Sequence, residues 1–367
     1  MMKSIKILNI VGTRPNYIKI APLIEQMDQS AKINYSLIHT GQHYDENMNQ
    51  IFFDQLGIPS PNFNLGVKSG SSVQQVSQVL EKFETVLLQE KPHAILAVGD
   101  VNSTLACSMA AAYHNIKVIH VEAGLRSFDR SMPEEINRIL TDKISDLLFV
   151  TEESGMKNLA KEGINPQKIH FVGNVMVDTL LKHKKFAEDN SRILDRLDLK
   201  TQQYALVTLH RPSNVDEKEV LQDVLESLAV LAREIPVVFP IHPRTENRIK
   251  EFKLGNFTKD LILIPPTSYF NMIKLMANSK MVLTDSGGLQ EETTILNIPC
   301  LTLRKNTERP VTLEQGTNIL VGTKPNDILK AAKNIKVNRE GNGSYPELWD
   351  GLAAKRIIEV LENWKPF

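Results

Sequence analysis

Two cysteines in 367 residues, no net charge and few aromatics define what this sequence lacks. Cys107 and Cys300 lie far apart within apolar stretches, so they read as small core residues of a reducing compartment rather than a disulfide. Lysine and arginine number 43 against 43 acidic residues. That balance removes the electrostatic case for a nucleic-acid or anionic-membrane partner. No apolar run approaches the ~18 residues that span a bilayer. Ile5–Val11 is too short for a secretory apolar segment, and Arg14 follows with no small-residue cleavage site. Neither G-x-G-x-x-G nor G-x-x-x-x-G-K-[ST] occurs, which argues against a nicotinamide dehydrogenase or a P-loop nucleotidase. No D-x-D pair is present to clamp a metal–diphosphate. The expectation is a neutral cytoplasmic protein of about two domains, given roughly 150 residues per domain.

What is present is a repeated alternation of short apolar runs and helical stretches. Strands are expected at Ile5–Val11, Ile33–His39, His93–Val98, Val118–Val121, Leu147–Val150 and Ile169–Val172. A second series covers Ala205–Leu209, Val237–Ile241, Leu261–Ile264, Met281–Thr284 and Pro299–Leu303. Runs such as ILAV and LILI, apolar at every position, mark strands covered on both faces, as in a parallel sheet between helices. The charged stretch Lys182–Gln203 breaks the series. The expectation is therefore α/β, with two doubly wound, Rossmann-like domains facing a central cleft: residues 1–182 and 203–350, with a closing helix in 351–367 that packs back on the first half. Ligand chemistry belongs just beyond the carboxyl ends of such strands.

Candidate residues do cluster there. Gly12-Thr13-Arg14-Pro15-Asn16 turns from a buried strand into a helix, with Lys19 one turn on; backbone N–H groups and two cations suit a phosphate, the plainer alternative being a turn with a solvated arginine. Asp100 follows the strand AILAV, Glu122 ends the next, and Glu134 lies in the first turn of a helix opened by Pro133. Asp100 alone would be read as a helix cap. Three carboxylates on one rim suit general acid/base work, because crowded carboxylates push each other's pKa values apart. Glu134 and Arg138, four apart, are expected to share a helix face. In the second half His210-Arg211 and His242-Pro243-Arg244 each follow a strand. Ser286-Gly287-Gly288 forms a second anion nest, and Glu292, one turn into its helix, is placed to accept both hydroxyls of a ribose. His39 and His43 invite a zinc reading; a glycine lies between them and no cysteine is near, so an active-site loop is favoured.

The segments GTRPNYIK, GQHYDENM, GDVNSTLA, HVEAGLRS, MPEEINRILTD, HRPSN, IHPR, LTDSGGLQEE and NTERPVTLEQGTN, in this order, closely resemble the non-hydrolysing UDP-N-acetylglucosamine 2-epimerases over nearly the whole chain. The resemblance implies a glycosyltransferase-B-like fold, a UDP-sugar substrate, a homodimer, and no metal or nicotinamide cofactor. It implies that Asp100, Glu122, Glu134 and His210 are catalytic, and that Arg14, Lys19, His242, Ser286, Gly287, Gly288 and Glu292 contact the substrate or its UDP. It further implies elimination of UDP to a 2-acetamidoglucal and re-addition after protonation of carbon 2 on the opposite face, in the service of polysaccharide biosynthesis. Two departures stand out. Asn16 replaces a glutamate common in the family, which points to a shifted sugar preference, such as a modified UDP-2-acetamido sugar. Gln42 and His43 match residues that hold a second, activating UDP-sugar in some members, but Gly66–Gly70 has no arginine to complete that site. A metal-independent UDP-sugar glycosyltransferase is the rival reading on the same fold.

Overall fold

The computed structural model describes residues 4–41, 52–68, 70–335 and 345–366, in two compact units: 1–179 with 347–367, and 180–346. The unit boundary falls inside one helix, Val175–Asn190. No described helix is long and apolar enough to cross a membrane.

The first unit carries a seven-stranded sheet: β1 (Ile5–Val11), β2 (Ile33–His39), β3 (Phe63–Asn64), β4 (Ala94–Val98), β5 (Lys117–Ala123), β6 (Leu147–Val150) and β7 (Ile169–Phe171). Their order is β3-β2-β1-β4-β5-β6-β7, and every pairing is parallel. β4 is buried at all five positions, as a central strand covered by helices on both faces must be. Leu8, Ile10 and Ile95 pack on one face against Phe83 and Val86 of the helix Ser72–Glu90 and Cys107 of the helix Asn102–Tyr113. Both cysteines are free and buried.

The second unit repeats the plan with six parallel strands: β8 (Ala205–Thr208), β9 (Val237–Pro240), β10 (Ile262–Ile264), β11 (Met281–Thr284), β12 (Cys300–Thr302) and β13 (Asn318–Leu320). Their order is β10-β9-β8-β11-β12-β13. Its core gathers Val207, Phe239 and Leu283 under Leu221, Leu225 and Leu228 of the helix Lys218–Ala232. In each sheet the strand order reverses once, between β1 and β4 and between β8 and β11. Helices leave to opposite faces at such a point and open a crevice beyond the strand ends.

The last helix, Ala353–Asn363, packs on the helix Arg14–Asp28 and buries Ile357, Ile358 and Leu361. Asp178 caps it, accepting the N–H groups of Ala353 (3.2 Å) and Ala354 (2.7 Å); burial pushes this carboxyl up to about 6. Just before the helix, Trp349 is buried and donates Nε1–H to the carbonyl of Thr151 at 2.9 Å. Gly173, at φ 86°, lets the chain there approach so closely that a Cβ would overlap the carbonyl of Leu348. Gly163 has a similar φ of 72° and nothing near it. Gly163→Ala should therefore cost only the left-handed backbone strain, about 1 kcal/mol, and Gly173→Ala at least twice that. Thermal unfolding compares the two; equal losses would contradict this packing.

Candidate active site

Site residues gather at both reversal points. In the first unit, Gly12–Asn16 follows β1 and Gly99-Asp100 follows β4, its neighbour. The turn after β1 is closed from within: Asn16 Oδ1 accepts the N–H groups of Gly12 (3.2 Å) and Thr13 (3.0 Å), and its Nδ2 donates to the carbonyl of Val98 at 2.8 Å. The expected phosphate nest of N–H groups is thus corrected, because an internal side chain takes two of them. Asn16 instead ties the end of β1 to the end of β4. Arg14 remains at this edge, its guanidinium 5.3 Å from the ring centre of Phe52. Lys19 turns inward and sets its ammonium 2.5 Å from the Glu122 carboxylate, both side chains buried.

Glu122 stands at a break in the register of β5 against β6, between Val121 and Ala123. Its φ of 77° is the left-handed region, which costs a residue with a Cβ about 1–2 kcal/mol. The reward is direction: the bulge re-aims the carboxylate to Lys19, beside Gly99, the residue before Asp100. Asp100 is half-buried and paired with Arg138. Arg138 also bonds Glu135 at 2.6 Å; Glu134, four residues before it on the same helix, shares its face as expected, while Asp100 and Glu135 pair with its guanidinium. Glu135 is structural; it accepts the N–H groups of Ser127 and Phe128, each at 2.9 Å. Glu134, half-buried, has no hydrogen-bond or ion-pair partner among the described residues. Each of Asp100 and Glu122 thus faces its own cation, and pairing rather than mutual repulsion sets the local electrostatics.

In the second unit His210 follows β8 and Asp285 follows β11. Asp285, wholly buried, receives the backbone N–H groups of His210 (3.0 Å) and Arg211 (2.9 Å), and its other oxygen lies 3.2 Å from His210 Nδ1. These contacts outweigh desolvation and hold its carboxyl below the usual range. The half-exposed His210 ring is thereby oriented through Nδ1, as a carboxylate orients an imidazole. Sequence reasoning assigned Asp285 no role. The ring of His242 lies 5.9 Å from that of His210, and its Nδ1 caps the helix Pro243–Glu251 at Arg244 N, 3.1 Å.

Ser286 is the N-cap of the helix Gly287–Leu296, whose first N–H groups have no carbonyl one turn back. Arg309 lies directly behind Gly287, where a Cβ would overlap its guanidinium. It is held there by Glu291 (Nε–H to Oε1, 2.7 Å) and Glu308, and Glu308 in turn by Arg304 at 2.7 Å. Glu292 is buried one turn in and accepts the Tyr269 hydroxyl at 2.8 Å; burial, aided by Glu291, pushes its carboxyl up to about 7.

His39 is core rather than loop: Nε2 lies 2.6 Å from the Tyr17 hydroxyl and the ring packs on Phe53. Gln42 and His43 lie outside the described residues, among which no three His, Cys, Asp or Glu side chains form a metal-binding group.

The family model described as UDP-N-acetylglucosamine 2-epimerase matches residues 25–362. A UDP-N-acetylglucosamine 2-epimerase of Methanocaldococcus jannaschii is 44% identical over 367 residues, covering 98% of this chain and 100% of that one. A crystal structure of the M. jannaschii UDP-GlcNAc 2-epimerase, in complex with UDP-GlcNAc and UDP, superposes with a TM-score of 0.91 at 43% identity over 98% of this chain and all of the other. A UDP-2,3-diacetamido-2,3-dideoxy-D-glucuronate 2-epimerase of Pseudomonas aeruginosa is 41% identical, covering 97% of this chain and 99% of its own. Two doubly wound sheets, with carboxylates at one reversal point and a Ser-Gly-Gly helix start at the other, thus accompany full-length similarity, and the chain belongs to the UDP-N-acetylglucosamine 2-epimerase family.

Proposed function

We propose that this protein interconverts UDP-N-acetylglucosamine and UDP-N-acetylmannosamine by eliminating and re-adding UDP. The observation that carries the reading is Glu122, strained into a left-handed bulge that directs its carboxylate beside Gly99-Asp100. A carboxylate takes the proton from carbon 2 while the bond from carbon 1 to the diphosphate oxygen breaks with its electron pair on the diphosphate. A double bond forms between carbons 1 and 2. Return of a proton to the other face of carbon 2, with re-addition of the diphosphate at carbon 1, gives the epimer. Asp100, Glu122 and Glu134 act on the sugar. His210, held by Asp285, and the N–H groups at Ser286, Gly287 and Gly288 meet the charge of the leaving diphosphate, with Arg14 and His242 as further nucleotide contacts. Lys19, buried on Glu122, serves the carboxylate.

Incubation with UDP-N-acetylglucosamine tests this: UDP-N-acetylmannosamine should accumulate to an equilibrium ratio without steady release of UDP. Release of UDP and free sugar, or consumption only with an acceptor, would contradict it. The diacetamido-glucuronate relative and Asn16 favour one second reading, a 2-epimerase for a modified UDP-2-acetamido sugar; that substrate turning over in place of the first would establish it.

Glu292 gives a pH signature. A ribose hydroxyl donates to an ionised carboxylate, and Glu292 ionises only near pH 7. Affinity for UDP-N-acetylglucosamine, which does not titrate there, should rise with pH through about 7 and then level off. Glu292→Gln should weaken binding about tenfold and flatten that rise. The same raised value lowers stability as pH climbs from about 4.5 to 7, because the folded state then holds the extra proton.

The proposal includes a cytoplasmic homodimer. Val73, Tyr113 and Ile136 are exposed apolar side chains lining a groove of about 770 Å³ between the helices Ser72–Glu90, Asn102–Tyr113 and Pro133–Ile144. Sedimentation at the mass of two chains, lost in Val73→Glu, checks this.

A further inference from the structure

His120 lies on β5, two residues before Glu122, and its ring is fully buried. Its Nδ1 is 2.7 Å from Asp142 Oδ1 and its Nε2 is 2.8 Å from the carbonyl oxygen of Gly99. A carbonyl only accepts, and so does an ionised carboxylate, so the ring donates at both nitrogens. The alternative, a neutral ring accepting from a protonated Asp142, is opposed by what surrounds that carboxylate. Its second oxygen takes Arg126 Nη1 at 2.7 Å and the N–H of Gly124 at 3.1 Å, a cation and a donor that both favour the ionised carboxylate. Arg126 is itself fixed by Glu162 at 2.8 Å.

The contacts bracket Glu122. On one side, Gly99 N–H donates to the carbonyl of Val121 at 3.0 Å and its carbonyl accepts from His120. On the other, Asp142 holds Gly124. The turn leading to Asp100 and the bulge bearing Glu122 are thus fastened to each other through one ring. We infer that His120 is a positioning residue, held as an imidazolium between Asp142 and the Gly99 carbonyl, that sets Asp100 and Glu122 in mutual register for the reaction. The inference rests on the proposed function for the roles of those two carboxylates; the protonation pattern of the ring does not depend on it.

Two readouts test it. In ¹⁵N NMR of the histidine rings at pH 7.5, with His120 identified by its loss in His120→Gln, both ring nitrogens are expected to carry hydrogen. An unprotonated nitrogen would overturn the inference. In kinetics, His120→Gln should lower kcat about a hundredfold, as small misplacements of reacting groups do, with KM and affinity for UDP within twofold. A folded His120→Gln with kcat within threefold of wild type would overturn it. Should that variant fail to fold, Asp142→Asn is held to the same kinetic criterion. A merely structural role would lower the amount of folded enzyme while leaving kcat per folded molecule intact. Failure of the proposed reaction itself would appear as a wild-type protein that converts nothing, and the nitrogen pattern would then decide the inference alone.

Discussion

Asp100→Asn, Glu122→Gln and Glu134→Gln should each lower kcat about a thousandfold while UDP binding stays within twofold. A positioned acid or base is worth roughly 10²–10⁴ in rate. None of the three carboxylates belongs to the unit that carries the proposed nucleotide contacts after β8 and β11, which is why binding should survive. Their effects on stability should differ. Glu134, half-buried and without a partner among the described residues, should cost under about 0.5 kcal/mol, which makes Glu134→Gln the cleanest kinetic test. Asp100→Asn leaves Arg138 its bond to Glu135. Glu122→Gln strands the buried Lys19 ammonium, a loss of about 3–5 kcal/mol when one partner of a buried pair is removed. Adding Lys19→Met should restore much of that stability and none of the rate. Normal turnover in any of the single variants would remove that residue from the mechanism.

The second large effect lies under the nest. Arg309→Met takes the guanidinium from two buried carboxylates, Glu291 and Glu308, of which Glu308 keeps Arg304. Chemical denaturation should show a loss of about 3–5 kcal/mol, partly recovered in the double variant Arg309→Met with Glu291→Met, where the stranded charge is also removed. Weakened UDP binding should accompany it, because Glu291 precedes Glu292 on the helix that Ser286 caps. A loss below about 1 kcal/mol would mean that the cluster is solvated rather than buried.

The sheets were legible because a central parallel strand must be apolar throughout. Ile5–Val11, Ile33–His39, Leu147–Val150 and Met281–Thr284 have the bounds expected from their apolar runs. The others shift by a residue or two at their ends, β5 running on to Lys117 and Ala123 and the rest stopping short of the apolar run. Phe63–Asn64 and Asn318–Leu320 escaped notice, since edge strands of two or three residues leave no run to read. The strand ends also named where the candidate carboxylates and histidines stand. What they did not give was the choice of partner. Spacing put Arg138 on the face of Glu134, but Asp100, brought in from the next strand, and Glu135 compete for the same guanidinium. Lys19 resembled a phosphate ligand until the bulge at Glu122 aimed a carboxylate at it. Asp285 was hidden because a carboxylate before Ser-Gly-Gly reads as part of a turn; only the return of β8 beside β11 shows that it holds His210.

Proton NMR of the purified protein with UDP-N-acetylglucosamine in deuterated water tests the central claim most directly. The account predicts UDP-N-acetylmannosamine carrying deuterium at carbon 2, deuterium entering the recovered UDP-N-acetylglucosamine as well, and no accumulation of free UDP. Product that kept its original hydrogen at carbon 2 would contradict proton removal by these carboxylates.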